Sequence, residues 1–284
     1  MVQTPTHQKI AAVGTLMEGA SLRATSRMTG LSRERLSKLV LQMGRASERL
    51  LEEKIRGFRC EQIECDEMWT FILKRRNRVR AGDSPEAGDA WIWSAVDPDS
   101  KLIPAHHVGK RGLEDAHAFA RQLRQRVEGR VQLNTDRLHA YRGAILGEFS
   151  TWNGTTWERP DWGTIVKHYE SPEIRDQGRY VPPRLTVAER RAESGNPDMD
   201  RVSTSHVEAH HLHFRMRNKR TARMTNAHSK SLEHLTAATA MYFAHYDFCR
   251  VHSSIKTTPA VAAGLTERPW PLAEFVEWGE LYGR

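Results

Sequence analysis

Residues 62–73 read QIECDEMWTFIL, an apolar and aromatic run with two adjacent carboxylates, Asp66 and Glu67, at its centre. That composition predicts a strand. Side chains alternate along a strand, so only one of the two acids can face a given side of the sheet. Asp66 is then either an ordinary strand-end acid or a ligand for something positive, with Glu67 as its rival for that role.

The chain changes character at this run. Upstream, residues 1–59 read as three short helices and a linker. Ile10, Val13, Leu16 and Met17 make an apolar stripe at helical spacing. Gly19 ends that helix and Ser21 can cap a second over Leu22–Thr29. Gly30-Leu31-Ser32 makes a tight turn, with Ser32 as N-cap of a third helix that buries Leu36, Leu39, Val40 and Met43. Small Ser26 before Gly30 allows the close crossing of a helix-turn-helix. The third helix would present Arg33, Glu34, Arg35, Ser37 and Lys38 to a major groove. A plain three-helix packing module is the rival reading, and the basic third helix favours DNA. Residues 44–59 continue the helix or form a linker.

Downstream, residues 81–88 are a loop. Trp91–Asp97 and Leu102–Val108 are strands joined by the turn Asp97-Pro98-Asp99-Ser100, completing an antiparallel three-stranded meander. Leu113–Val127 is an amphipathic helix with Ala116, Phe119, Ala120 and Leu123 inward. Val131–Thr135 is a strand ending at Asp136, a helical stretch covers Leu138–Phe149, and Thr164–Tyr169 is a fifth strand. Residues 171–203, polar and with four prolines, read as a loop or insertion. The rest is mostly helical, notably 206–217 and Ser231–Arg250.

Charge narrows the partners. The net +8 is concentrated: residues 1–59 hold eleven Lys/Arg and five Glu, and Lys74–Arg80 holds five cations in seven residues. Arg215–Lys230 holds six Lys/Arg and no acid. Three separated patches suit a long polyanion better than a small phosphate ligand. Three cysteines are too few for a disulfide framework, and Cys60 and Cys65 lack the second close pair of a structural zinc site. No apolar run reaches membrane-helix length and MVQTPTHQKI has no signal-peptide core, so a soluble, intracellular chain is expected.

Four blocks in order carry a resemblance: Cys65-Asp66-Glu67-Met68-Trp69, then WIWSAVDPDSK at 91–101, then Thr135–Tyr141 (TDRLHAY), then Ser203–Glu208 (STSHVE). With the tail YDFCRVHSSIKTTPA at 246–260, they make the chain similar to IS1-type insertion-sequence transposases of the DDE class over residues 60–264. The resemblance implies a ribonuclease-H-like α/β fold, a mixed five-stranded sheet with flanking helices, preceded by a small all-α helix-turn-helix domain. The implied division is 1–59 for DNA binding and linker, 60–264 for catalysis and 265–284 as a tail.

It also implies that Asp66, Asp136 and Glu208 are the catalytic acids and metal ligands. Phosphodiester cleavage and strand transfer use two divalent ions, one at the attacking oxygen and one at the leaving oxygen, and hard carboxylate ligands suit Mg²⁺ or Mn²⁺. Water would attack first and the freed 3′-hydroxyl second. The implied partner is double-stranded DNA, both the element's terminal inverted repeats and the target, bound by a homodimer or higher assembly in a bacterial, nucleoid-associated cytoplasmic setting. Arg33, Arg35 and Lys38, Arg75, Arg76 and Arg78, and Arg215, Arg217, Lys219 and Arg220 are the expected DNA contacts.

Each acid has a structural rival. Asp136 at a strand-to-helix junction could be an N-cap, and Asp97 and Asp99 read as turn residues. Ser205-x-x-Glu208 is a capping box if Ser205 is the N-cap. His211, Leu212 and Arg215 would share the face of Glu208, with Arg215 placed for a DNA phosphate. His206, His210, His211 and His213 invite a zinc reading, but lack the intervening glutamate of a helix zinc protease. The clusters Trp152, Trp157, Trp162 and Tyr242, Phe243, Tyr246, Phe248 read as packing rather than base-stacking platforms. Ala209 stands where the family usually has Arg, and the gap from Asp136 to Glu208 is long. A DNA-binding regulator that has lost catalysis is therefore the alternative, and a metal-dependent nuclease without strand transfer a third.

Overall fold

The computed structural model describes residues 4–170 and 184–283. Its longest strand, β1 (Gln62–Ile72), lies inside a six-stranded mixed sheet of order β3-β2-β1-β4-β7-β8. β2 (Gly88–Val96) and β3 (Ala105–Gly109) continue antiparallel on one side, in the register Asp66↔Ser94 and Trp93↔His107. On the other side β4 (Gln132–Thr135) and β7 (Asp161–Tyr169) run parallel, and β8 (Leu185–Ser194) closes the edge antiparallel to β7. A separate hairpin is formed by β5 (Thr151–Trp152) and β6 (Trp157–Glu158).

The sixth strand corrects the expectation of five strands, and the described part of 171–203, read as a loop or insertion, holds it. β8 is nearly all exposed, so backbone pairing to β7 rather than a buried face holds it. A charged edge strand of that kind has no apolar alternation to read. Residues 171–183 of the expected loop lie outside the described residues. The aromatic clusters divide. Trp162, Tyr242, Phe243, Tyr246 and Phe248 are buried, whereas Trp152 and Trp157 are exposed and pack on each other across the small hairpin at 5.7 Å.

Helices cover both faces of the sheet. α4 (Leu113–Arg126) and α5 (His139–Phe149) bury Phe119 and Tyr141 against Trp93. On the opposite face lie α6 (Ser205–Arg217) and α7 (Leu232–Phe248), where Phe214, Tyr242 and Phe243 form an aromatic core. Two shorter helices, α8 (Pro259–Ala262) and α9 (Leu272–Tyr282), follow.

The N-terminal helices are α1 (Thr6–Met17), α2 (Leu22–Thr29) and α3 (Arg33–Lys54). Ser21 and Ser32 accept N-cap bonds from the amides of Ala24 and Arg35, and Gly30 closes α2 at φ 74°. The Ser26 hydroxyl donates to the Leu31 carbonyl at 2.7 Å, fastening the turn. Leu36, Leu39, Val40 and Met43 are buried as their spacing predicts, and α3 runs on past Gly44 to bury Leu50 and Leu51. α3 packs along α7, and α9 returns from the C-terminal end onto α1 and α3. Ser37 is not presented to solvent: its hydroxyl bonds the His234 ring of α7 at 2.7 Å.

The α3–α7 crossing depends on Gly44. A Cβ there would stand 2.5 Å from Ala237 Cα and 2.8 Å from its carbonyl oxygen, both backbone atoms that cannot swing away. Gly44→Ala is expected to destabilise the protein by about 2 kcal/mol, overpacking outweighing the gain in helix propensity. Chemical denaturation checks it; an unchanged midpoint would contradict the close packing. Among the described residues no helix is long and apolar enough to cross a membrane.

Candidate functional site

The site forms where β1 and β4 part. Their pairing ends at Glu64↔Asn134, two residues short of Asp66 and Asp136. β1 continues against β2, while the chain after β4 turns away into α5. The turn is set by Asp136 itself, whose Oδ1 accepts the Leu138 amide at 2.9 Å. The residue preceding α5 is Leu138, so Asp136 is not its N-cap. Its other oxygen is left toward Arg111 Nη2, 3.7 Å away.

Asp66, Glu67 and Asp136 each offer an oxygen within 4.8 Å of the others, the one such group of three among the described residues. Alternation along β1 gives them different surroundings. Glu64 and Asp66 face α6, and Glu67 faces α4 and α5. Asp66 lies 3.3 Å from His211 Nδ1, and the other nitrogen of that ring bonds Ser94 at 2.7 Å, so the histidine bridges β1 and β2. Glu67 is buried, one oxygen held by two nitrogens of Arg111 at 2.6 and 2.7 Å and the other by the Tyr141 hydroxyl at 3.1 Å. Arg111 in turn lies over the Trp91 ring at 4.7 Å. Glu67 is thus committed to Arg111 and Tyr141, and Asp66 and Asp136 are the more open pair.

Glu208 comes to the same cleft, of about 490 Å³, from the first turn of α6. Its carboxylate is outside the group of three. It pairs with Lys167 of β7 and accepts the Thr204 hydroxyl at 2.7 Å. The expected capping box is not formed. Thr204 precedes α6 and Ser205 is its first residue, with no side-chain cap. The α6 amides are met from the strand beneath them instead. Glu64, fully buried, accepts from His206 N at 2.7 Å and Val207 N at 3.1 Å, and holds the His206 ring at 2.9 Å. A carboxylate on a neighbouring strand therefore does what Ser205 was expected to do.

Burial and mutual repulsion shape the titration. Burial, then the charges of Asp136 and Asp66, push Glu67 up to about 8, against the pull of Arg111. Asp136 is also raised, first by burial, with Asp66 and Glu208 adding to it and the Leu138 amide opposing. A raised carboxyl contributes stability in full below its unfolded value, 4.5 for Glu67, and loses it as pH rises through about 8. Metal-free protein should therefore lose on the order of 3 kcal/mol relative to Glu67→Gln between pH 5 and 9. Parallel melts of the two proteins over that range check it; curves of equal slope would contradict the raised value.

The other candidates distribute as follows. His210 is buried among Tyr242, Phe243 and Tyr246, with neither ring nitrogen bonded. With His206 on Glu64, the His206/His210 pair does not form a metal group. Asp97 is a turn residue, accepting from Asp99 N and Ser100 N. Arg33, Arg35, Lys38, Arg75, Arg76 and Arg78 are exposed, Lys38 pairing with Glu34. Arg215 is turned inward, donating to the Trp69 and Thr221 carbonyls at 2.7 and 2.9 Å. Arg217 pairs with Glu18, Lys219 is exposed, and Arg220 is part-buried.

Sequence reasoning missed Glu64, Arg111, Tyr141 and Lys167. Only the carboxylate of Glu64, two positions before Asp66 and so on the same strand face, left a readable signal. No protein-family model and no curated protein matches the chain.

Proposed function

We propose that the chain is a DDE-type transposase, a metal-dependent enzyme that cuts and joins DNA on a ribonuclease-H-like domain. The observation that carries the reading is the convergence of Asp66, within β1, and Asp136, just past the end of the adjacent parallel β4 and 70 residues away in sequence, on a cleft that α6 enters with Glu208. The strand order and directions, an antiparallel meander joined to two parallel strands, are compatible with that fold.

The donor set suits the implied ions. It consists of carboxylate oxygens without thiolate, the choice of Mg²⁺ or Mn²⁺. Asp66 and Asp136 would hold them, with Glu208 completing the set once its carboxylate leaves Lys167. When bound, such ions supply Lewis acidity to the attacking and leaving oxygens of a phosphodiester. The chain's own cations flank the acids. Arg111, locked by Glu67 and Trp91, can take a phosphate oxygen without first being ordered, and Lys167 is freed to take another when Glu208 leaves it. His211, fixed by Ser94, holds the Asp66 carboxylate in place.

A second reading, a DNA-binding regulator without catalysis, is favoured by the Lys167–Glu208 pair and by Ala209. Incubation with DNA carrying the genomic sequences that flank the gene separates the two. The transposase reading expects nicking at the ends and joined products in Mg²⁺ or Mn²⁺, and none in EDTA. Tight binding with no cut strand in either metal would leave the regulator.

A further inference from the structure

A groove of about 630 Å³ runs along the seam between the N-terminal helices and residues 218–230, and none of Asp66, Asp136 and Glu208 lines it. Arg23 and Arg33 line it from one side and Lys219, Arg220 and Lys230 from the other. The acid in its wall, Glu34, is bonded to Lys38.

Arg220 is the unusual member. The residue is part-buried, its Nη2 is shut off from solvent without a hydrogen-bond partner, and no carboxylate among the described residues pairs with it. Nearby arginines are satisfied, Arg215 by two carbonyls and Arg217 by Glu18. An arginine stays charged, and a guanidinium nitrogen shut off from solvent without a partner is unfavourable unless an acceptor arrives. The charged groups lining the groove around it are otherwise cations, apart from Glu34, which is bonded to Lys38, on a wall that is largely apolar.

We infer that this seam is a phosphate-binding site for the DNA backbone, with Arg220 as its part-buried anchor. The inference rests on the DNA-binding part of the proposed function but not on catalysis. DNA is the source favoured by charge: Arg33 lines the groove from α3, which also carries exposed Arg35 and Lys38, and Lys219 and Lys230 are exposed on the facing segment. One phosphate there would tie the N-terminal helices to the segment that follows α6.

The test compares full-length wild type with Arg220→Gln. An arginine kept for folding would lower the melting temperature when removed; one kept for a ligand would not. The variant should melt no lower than wild type in chloride. Inorganic phosphate at matched ionic strength should raise the wild-type melting temperature more than the variant's. Duplex affinity should fall about tenfold, the scale of one charge-assisted contact, and the salt slope of log K by about one. Unchanged duplex affinity and slope would overturn the inference; if phosphate still distinguished the two proteins, the site would be one for free phosphate instead. A variant that melts far lower yet binds DNA normally would make Arg220 structural. If Arg220→Gln does not fold, exposed Arg33→Gln should weaken both responses, and no change there also overturns it. A wild type that binds duplex DNA but never cuts it would sink the transposase reading and leave this one standing.

Discussion

Asp66→Asn and Asp136→Asn are each expected to lower metal-dependent DNA cleavage by about a thousandfold or more, the scale of several kcal/mol of lost transition-state stabilisation. Each change keeps side-chain size and removes one ligand charge. The fold should be little affected, because the neighbours stay bonded: Leu138 N can still donate to an amide oxygen at 136, and His211 keeps Ser94. Asp136 is raised by burial and by Asp66, so neutralising either acid relieves repulsion in the metal-free protein. Both variants should accordingly melt at or slightly above the wild type without metal. Single-turnover cleavage beside thermal melts checks the pair of expectations. Near wild-type cutting by Asp66→Asn would remove the acids from the chemistry.

Glu208→Gln is expected to lose cleavage by about a hundredfold or more, since a neutral amide oxygen replaces a charged ligand. Its structural cost should be about 1 kcal/mol at most, because the Lys167 pair is half-exposed on the Glu208 side and screened by solvent. Ser205→Ala is the control. Its hydroxyl caps nothing on α6, accepting only from Ser203 Oγ at 2.9 Å, so both stability and cleavage should be nearly unchanged. Cleavage assays and melts on the two variants separate the roles. A Glu208→Gln protein that cuts DNA normally would restrict the site to Asp66, Asp136 and their neighbour Glu67.

Much of the fold was legible because its elements bury one face. The stripe of α3 and the inward residues of α4 carry the period that burial imposes, and the continuous apolar and aromatic run of β1 marks a strand covered on both faces. β8 was not legible, since its side chains are exposed and it has no buried face to mark it. The site divides the same way. Asp66 and Asp136 could be picked out because acids within or just past apolar strands contrast with their surroundings, and the structure brings them together. Glu208 could be located on α6 but not its partner, because Lys167 reaches it across 41 residues and one strand direction. Local pattern also misassigned the α6 cap. Ser205-x-x-Glu208 has the spacing of a capping box, but a tertiary carboxylate, Glu64, already occupies the amides. Arg215 shows the same limit: a basic side chain in a basic stretch reads as a phosphate contact, while its guanidinium holds two backbone carbonyls.

Everything proposed for the cleft requires that its carboxylates hold a divalent ion, and Mn²⁺ titration followed by electron paramagnetic resonance measures that without DNA or turnover. The free-ion signal should be depleted by wild-type protein, with one or two ions bound per chain, and Mg²⁺ should restore it by competition. The double variant Asp66→Asn, Asp136→Asn, folded by its melting curve, should leave the signal at its free-ion intensity. Equal depletion by the wild type and the double variant would contradict the account.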